Sequence, residues 1–312
     1  MQTFSLTATD GAAISVCLWA PASAPRATVL ISHGMSEYAA RYHRLATRLS
    51  GAGYLVVAHD HRGHGVTPAV RGHYADVDGW NKVVDDLRVV QEWVATQYPG
   101  LPQLLFGHSM GSFIARAFFI AHGERLSGLV LSATGYRQRW LAIVLGGVAA
   151  QQGRKHGFAT PSRLLARLVF GSFNLGFLPA RTGFDWLSRD PHEVDAYRFD
   201  PLCGFDVSAG LWRDLFGGII ALETAEASGA GFNRQCPVWL LAGSRDPVSL
   251  GRFGLNQLAR RYRAAGLADV AVTVYPGGRH EMHNDTHRDE VERDLLVWLD
   301  HHLAAEATPQ AA

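Results

Sequence analysis

An apolar run, Leu104-Leu105-Phe106, leads straight into Gly107-His108-Ser109-Met110-Gly111, and residues 113–121 beyond it carry helical character. The order is strand, tight turn, helix, with a serine at the apex. In a G-x-S-x-G turn the two glycines let the backbone pass close to itself, so the serine hydroxyl is pushed out at the carboxyl end of the strand. The following helix aims free N–H groups and its positive dipole end at the same place, which suits an oxyanion. Ser109 is therefore a candidate nucleophile. The string alone is common in a chain with 33 glycines; the strand before it and the helix after it set it apart. Neighbouring segments alternate in the same sense. Residues 29–32, 54–58, 104–106 and 129–132 read as buried strands, and 39–49, 80–97 and 112–122 as the helices between them. That alternation implies an α/β fold, a mostly parallel, doubly wound sheet with functional loops at the strands' carboxyl ends. Residues 3–7 and 15–19 flank Asp10-Gly11, a hairpin signal, and predict two antiparallel strands at a sheet edge.

A serine hydroxyl is a weak nucleophile at neutral pH and needs a base that is itself oriented by an acid. On a turn of this type the partners follow in the order Ser, Asp or Glu, His, each just beyond a later strand. Val238-Trp239-Leu240-Leu241-Ala242 reads as such a strand and runs into Gly243-Ser244-Arg245-Asp246-Pro247, so Asp246 is the candidate acid. Residues 270–275 form another, followed by Pro276-Gly277-Gly278-Arg279-His280, so His280 is the candidate base. His283 and Asp285 lie nearby but deeper in or past the loop. His108, adjacent to the serine, points away from it and is expected to shape the turn. An oxyanion hole needs two N–H donors. Met110, the residue after the nucleophile, supplies one, and Met35, in the loop His33-Gly34-Met35 after the strand at 28–32, is the choice for the other.

Cys17, Cys203 and Cys236 are scattered singletons without metal-ligand spacing, so no metal and no cofactor are expected. A formal charge of +1 and the absence of a Lys/Arg run give no argument for nucleic acid. With no signal-peptide pattern at the N-terminus, no apolar run of spanning length and an odd number of cysteines, a cytoplasmic protein is expected, with transient membrane-surface contact left open. The alternation breaks between about 135 and 233, where apolar and aromatic helical pieces at 140–150, 164–170 and 211–222 replace strands. The expected domains are a core of 1–134 and 206–303, a helical cap of 135–205 inserted over the strand ends, and a frayed tail at 304–312. Trp140, Phe173, Phe177 and Leu178 of the cap are candidates for an acyl-chain pocket; pure burial would explain them equally. Asp60-His61-Arg62-Gly63-His64-Gly65 lacks a phosphate-loop pattern and reads as structural, with Arg62 or Asp60 bracing the oxyanion loop. Glu37 and Glu281 read as supporting or surface groups.

Taken in order, these motifs resemble the serine-hydrolase branch of the α/β-hydrolase superfamily that holds monoacylglycerol lipases and lysophospholipases, also catalogued with serine aminopeptidases. The matching pieces are His33-Gly34-Met35-Ser36-Glu37-Tyr38 with Arg41-Tyr42, the 60–65 loop, the serine turn, Gly243-Ser244-Arg245-Asp246-Pro247-Val248 and Tyr275-Pro276-Gly277-Gly278-Arg279-His280-Glu281. Ser188-Arg189-Asp190-Pro191, Tyr197 and Asp200-Pro201-Leu202 extend the likeness into the middle segment. Ser36 stands where such lipases often carry glycine, and Tyr38 where they often carry histidine. The resemblance implies hydrolysis of a small-molecule ester, a monoacylglycerol or lysophospholipid, through an acyl-enzyme. Two rivals are a peptidase with the same triad and a non-catalytic binding protein on the same fold. An epoxide hydrolase or dehalogenase would carry aspartate in place of Ser109.

Overall fold

The computed structural model describes residues 1–66, 69–136 and 139–306. Eight strands form one sheet: β1 (Gln2–Thr7), β2 (Ala13–Trp19), β3 (Ala27–Ser32), β4 (Tyr54–His59), β5 (Gln103–His108), β6 (Gly128–Ser132), β7 (Val238–Gly243) and β8 (Val270–Tyr275). Their spatial order is β1-β2-β4-β3-β5-β6-β7-β8. The β1–β2 hairpin is antiparallel and lies at one edge, β2 runs antiparallel to β4, and every other pairing is parallel. From β3 the chain steps outward to β4, then crosses back to β5 on the other side. The carboxyl ends of β3 and β5 therefore meet at a topological switch point, where an open α/β sheet has its crevice.

Parallel strands are buried on both faces and read as apolar runs. Successive side chains still alternate between two cores. Leu30, Leu55, Val57 and Leu105 pack with helices α2 (Gly79–Gln97), α3 (Met110–His122) and α8 (Gly251–Ala264), whereas Val29, Ile31, Val56, Leu104 and Phe106 pack with α1 (His43–Gly51) and α9 (Arg288–Glu306).

Between β6 and β7 come α4 (Arg139–His156), α5 (Arg163–Phe173), α6 (Pro191–Phe199) and α7 (Ala209–Ser228), with no strand among the described residues of that stretch. Local signals set the boundaries. Ser162 caps α5 by accepting from the Leu165 N–H, and Asp190 caps α6 by accepting from His192 N–H ahead of Pro191. Helix α7 packs on α2, α3 and α4, so it joins the insertion to the core layer. Inside that joint Arg116 of α3 is fully buried, forked onto Glu226 of α7 at 2.8–2.9 Å and donating to Gly135 O at 2.6 Å. A buried ion pair is costly to desolvate and is retained only with its partners all in place. Here it ties the helix that follows Ser109 to the entry and exit of the insertion. No helix among the described residues is long and apolar enough to cross a membrane. Of the tail expected at 304–312, residues 304–306 still belong to α9, and the remainder lies outside the described residues.

Candidate active site

Ser109 stands between β5 and α3 with φ 50 and ψ −120, a conformation costly for any residue with a Cβ. The flanking glycines are needed for close approach. A Cβ on Gly107 would lie 2.7 Å from the Ala115 Cβ, and one on Gly111 would lie 2.1 Å from Ser32 O. The turn is thereby pinned against β3, the strand that leads into the Met35 loop. Ser109 N donates to Ser132 O at 3.0 Å, and Ser112 Oγ donates to Ser109 O at 2.5 Å. Met110 opens α3, in the first turn whose N–H groups have no intrahelical acceptor.

Asp246 and His280, on the loops after β7 and β8, are joined by a 2.7 Å bond from His280 Nδ1 to Asp246 Oδ1. Asp246 also accepts from Val248 N at 3.0 Å and Ser249 N at 3.2 Å, so three donors face one buried carboxylate. His280 is buried between the Trp186 ring at 4.8 Å and the His108 ring at 4.9 Å, and it lines the same cavity as Ser109. With Nδ1–H committed to Asp246, Nε2 is the nitrogen left to take a proton. His108 bonds to Ser132 Oγ at 3.2 Å. His283 stacks on Tyr42, and Asp285 accepts from Arg189, so neither enters the Asp246–His280 pair.

The Met35 loop is held by groups that sequence reading left as supporting or surface residues. Glu37 is buried, accepts from Gly34 N at 2.5 Å and Tyr42 Oη at 3.0 Å, and pairs with Arg41 at 2.6 Å. Arg41 also forks onto buried Glu281 at 2.9 Å. Burial pushes the Glu37 carboxyl up; against the same burial, Arg41 holds Glu281 down at about 2. The i,i+4 spacing of Glu37 and Arg41 was the available sequence signal; Glu281 is far away in the chain. Of the two groups proposed to brace this loop, Asp60 does so, accepting from Ala39 N at 2.8 Å. Arg62 turns away to Asp86 and Asp10. Ser36 has φ 55, in the left-handed region that favours glycine, and its hydroxyl donates to Phe205 O at 2.8 Å. Tyr38 donates to Asp200 at 2.8 Å, so both departures tie the loop to the end of the insertion.

Beneath the loop lies a relay of neutral histidines. His61 N donates to His33 Nε2 at 3.0 Å, which puts the His33 proton on Nδ1, where it reaches Gly34 O at 2.7 Å. Ser32 Oγ donates to Gly111 O at 3.1 Å and therefore accepts from His61 Nε2 at 3.0 Å. Burial pushes His59 and His64 down to about 4 and holds His33 and His61 well below the usual histidine range. An unfolded histidine near 6.5 binds protons that these folded ones refuse, so their contribution is full above pH 6.5 and is lost as pH falls toward 4. For His64 that amounts to about 3 kcal/mol. Urea unfolding between pH 7 and 4 is expected to show falling stability, and His64→Gln should lose about 3 kcal/mol less than wild type over that window. Equal slopes would mean that His64 titrates normally in the fold.

Two chambers meet at Ser109. The larger, about 560 Å³, is lined by Met35, Glu37, Arg163, Arg167, Leu178, Tyr197, His280 and others. The second, about 480 Å³, is walled almost entirely by apolar groups, including Phe113, Trp140, Leu145, Phe173, Trp212, Phe216 and Ile219. Met35, Ser109 and Phe170 border both. Of the pocket residues expected from sequence, Trp140 and Phe173 line the apolar chamber and Leu178 the larger one. Phe177 lines neither, because its ring lies against the guanidiniums of Arg245 at 4.8 Å and Arg279 at 4.5 Å. Among the described residues no group of three or more His, Cys, Asp or Glu has the geometry to hold a metal ion.

The family model for serine aminopeptidase, S33, matches residues 23–287. A monoacylglycerol lipase of Mycolicibacterium smegmatis is 32% identical over 304 residues, 96% of this chain and 97% of its own. A phospholipase of Bacillus subtilis is 34% identical over 284 residues, covering 90% of this chain and 98% of its own. Among solved structures, a thermostable carboxyl esterase from Bacillus coagulans superposes with a TM-score of 0.89 at 28% identity, over 97% of this chain and 98% of the other.

Proposed function

The chain belongs to the serine aminopeptidase S33 family of α/β-hydrolases, and we propose that it cleaves carboxylic esters of lipids, of the monoacylglycerol or lysophospholipid class, through an acyl-enzyme. One observation carries this reading: a chamber of about 480 Å³ walled almost entirely by apolar groups opens on the same serine as a roomier chamber whose lining adds the charged side chains Glu37, Arg163 and Arg167. In the reaction Ser109 Oγ attacks the ester carbonyl and His280 Nε2 takes its proton. Asp246 holds the imidazole tautomer and stabilises the imidazolium. The N–H groups of Met35 and Met110 receive the oxyanion. The C–O bond to the alcohol then breaks, and the alcohol leaves with the proton from His280. A water repeats the sequence on the acyl group, releasing the fatty acid and restoring the serine.

A peptidase would need a free carboxylate to grip a substrate ammonium. Glu37, Glu281 and Asp206 of the larger chamber are each engaged by an arginine, which favours the ester reading. Residues 135–205 act in this reading as the cap. Trp140, Ile143, Val144, Leu175 and Leu178 on it are more than half exposed, an apolar face suited to transient contact with a lipid surface. Cys17, Cys203 and Cys236 are all buried as thiols, which fits a cytoplasmic setting. The test is chain-length selectivity. Ile219→Trp, which fills the apolar chamber from α7, is expected to lower kcat/KM for a palmitoyl ester at least about tenfold relative to a butyryl ester. An equal effect on both would remove the acyl chain from that chamber.

A further inference from the structure

Helix α5 separates the two chambers and sorts their chemistry. At about 100° per residue, Arg163, Ala166, Arg167 and Gly171 fall on one side and face the larger chamber, whereas Leu168, Val169, Ser172 and Phe173 face the apolar one. Phe170, between Ala166 and Arg163 on the first side, is long enough to touch both chambers. The side that borders the larger chamber thus carries two cations one turn apart, with small residues leaving room in front of them.

Charge within that chamber is not balanced evenly. Glu37 and Glu281 are committed to Arg41. Asp206 lies 3.6 Å from Arg163, whose side chain is otherwise 88% exposed. Arg167 makes no ion pair among the described residues. The chamber's volume of about 560 Å³ is several times what a glycerol leaving group fills. With the acyl chain in the apolar chamber and the carbonyl at Ser109, the alcohol half of the substrate must lie in this larger space. An arginine is suited to phosphate there, since its planar fork donates two hydrogen bonds to one anionic group.

We propose that Arg167, with Arg163 beside it, binds a phosphate on the alcohol half of the substrate, so that lysophospholipid-type esters are preferred over neutral monoacylglycerols. This rests on the placement of the ester at Ser109. An anionic bilayer offers the same phosphate chemistry from outside the chamber, and the experiment separates the two sources.

The octanoyl esters of glycerol and of glycerol 3-phosphate are compared below their critical micelle concentrations, where no surface is present. Wild type is expected to favour the phosphate ester about five- to tenfold in kcat/KM, and Arg167→Gln to abolish that preference through KM. Arg163→Gln, already shared with Asp206, should reduce it less. A ratio near one in wild type, or one that Arg167→Gln does not move, overturns the proposal. So does a preference that appears only on vesicles containing anionic phospholipid, which would assign these arginines to a membrane surface. Binding of glycerol 3-phosphate to the Ser109→Ala protein, followed by calorimetry, is expected to weaken by a similar factor on adding Arg167→Gln. Phosphate binding without hydrolysis of either ester by wild type would sink the ester-hydrolase reading alone; hydrolysis of both without phosphate selectivity would sink this inference alone.

Discussion

Replacing Ser109 with alanine is expected to lower kcat for a p-nitrophenyl ester by about 10⁴-fold or more, and to abolish both the pre-steady-state burst and labelling by a fluorophosphonate. The size follows from what is removed. Without the hydroxyl no acyl-enzyme forms, and only the oxyanion donors and substrate binding remain to speed attack by water. The loss is not one of folding, because alanine keeps the Cβ and leaves the backbone at φ 50 unchanged. A second variant makes the point separately. Ser109→Gly removes the Cβ from that positive-φ position and should unfold at higher denaturant than Ser109→Ala, by about 1 kcal/mol, while being just as inactive. Retained labelling in Ser109→Ala would place the nucleophile elsewhere; equal stability of the two variants would mean that the turn carries no strain.

The strands that bear the candidate site were legible because burial on both faces leaves uninterrupted apolar runs such as 104–106 and 238–242, each ending in a glycine-bearing loop. The chain's own order then placed Ser109, Asp246 and His280 at one end of the sheet. Helices were legible where a long apolar period ran unbroken, as at 80–97, and α6, α8 and α9 were not delineated. Helix α6 rests on a local start signal, Asp190-Pro191, rather than on a strong apolar face. The supports of the Met35 loop were hidden for a different reason. Glu37, Arg41 and Glu281 form one buried cluster only because the loops after β3 and β8 converge in space. Phe177 shows the limit of composition. An aromatic residue in a lid reads as pocket lining, yet two arginines flanking the candidate acid and base, Arg245 and Arg279, occupy its ring. The chambers themselves are assembled from α4, α5 and α7 against the strand ends, a packing that no single segment encodes.

Asp246→Asn is expected to cost nearly as much as loss of the serine, about 10⁴-fold in kcat at neutral pH, while leaving the fold intact. The reason lies in the donors around that carboxylate. Oδ1 accepts from His280 Nδ1 and Val248 N, and Oδ2 from Ser249 N. An amide has one acceptor end. If its oxygen stays with His280 and Val248, its NH₂ meets the Ser249 N–H, and the imidazolium formed during attack loses its compensating charge. If the amide turns, its NH₂ faces His280, the ring moves its proton to Nε2, and no nitrogen is left to receive the serine proton. One orientation weakens the base by removing its compensating charge and the other blocks it, and fluorophosphonate labelling should slow by the same factor because it uses the same proton transfer. KM should change little, since Asp246 borders neither chamber. The neighbouring acid gives the control. Asp285 is held by Arg189 and the Thr286 N–H, away from His280 Nδ1, so Asp285→Asn should alter kcat by no more than a few-fold even if it lowers thermal stability. A larger loss from Asp285→Asn than from Asp246→Asn would transfer the orienting role to Asp285 and break the link drawn here between the loops after β7 and β8.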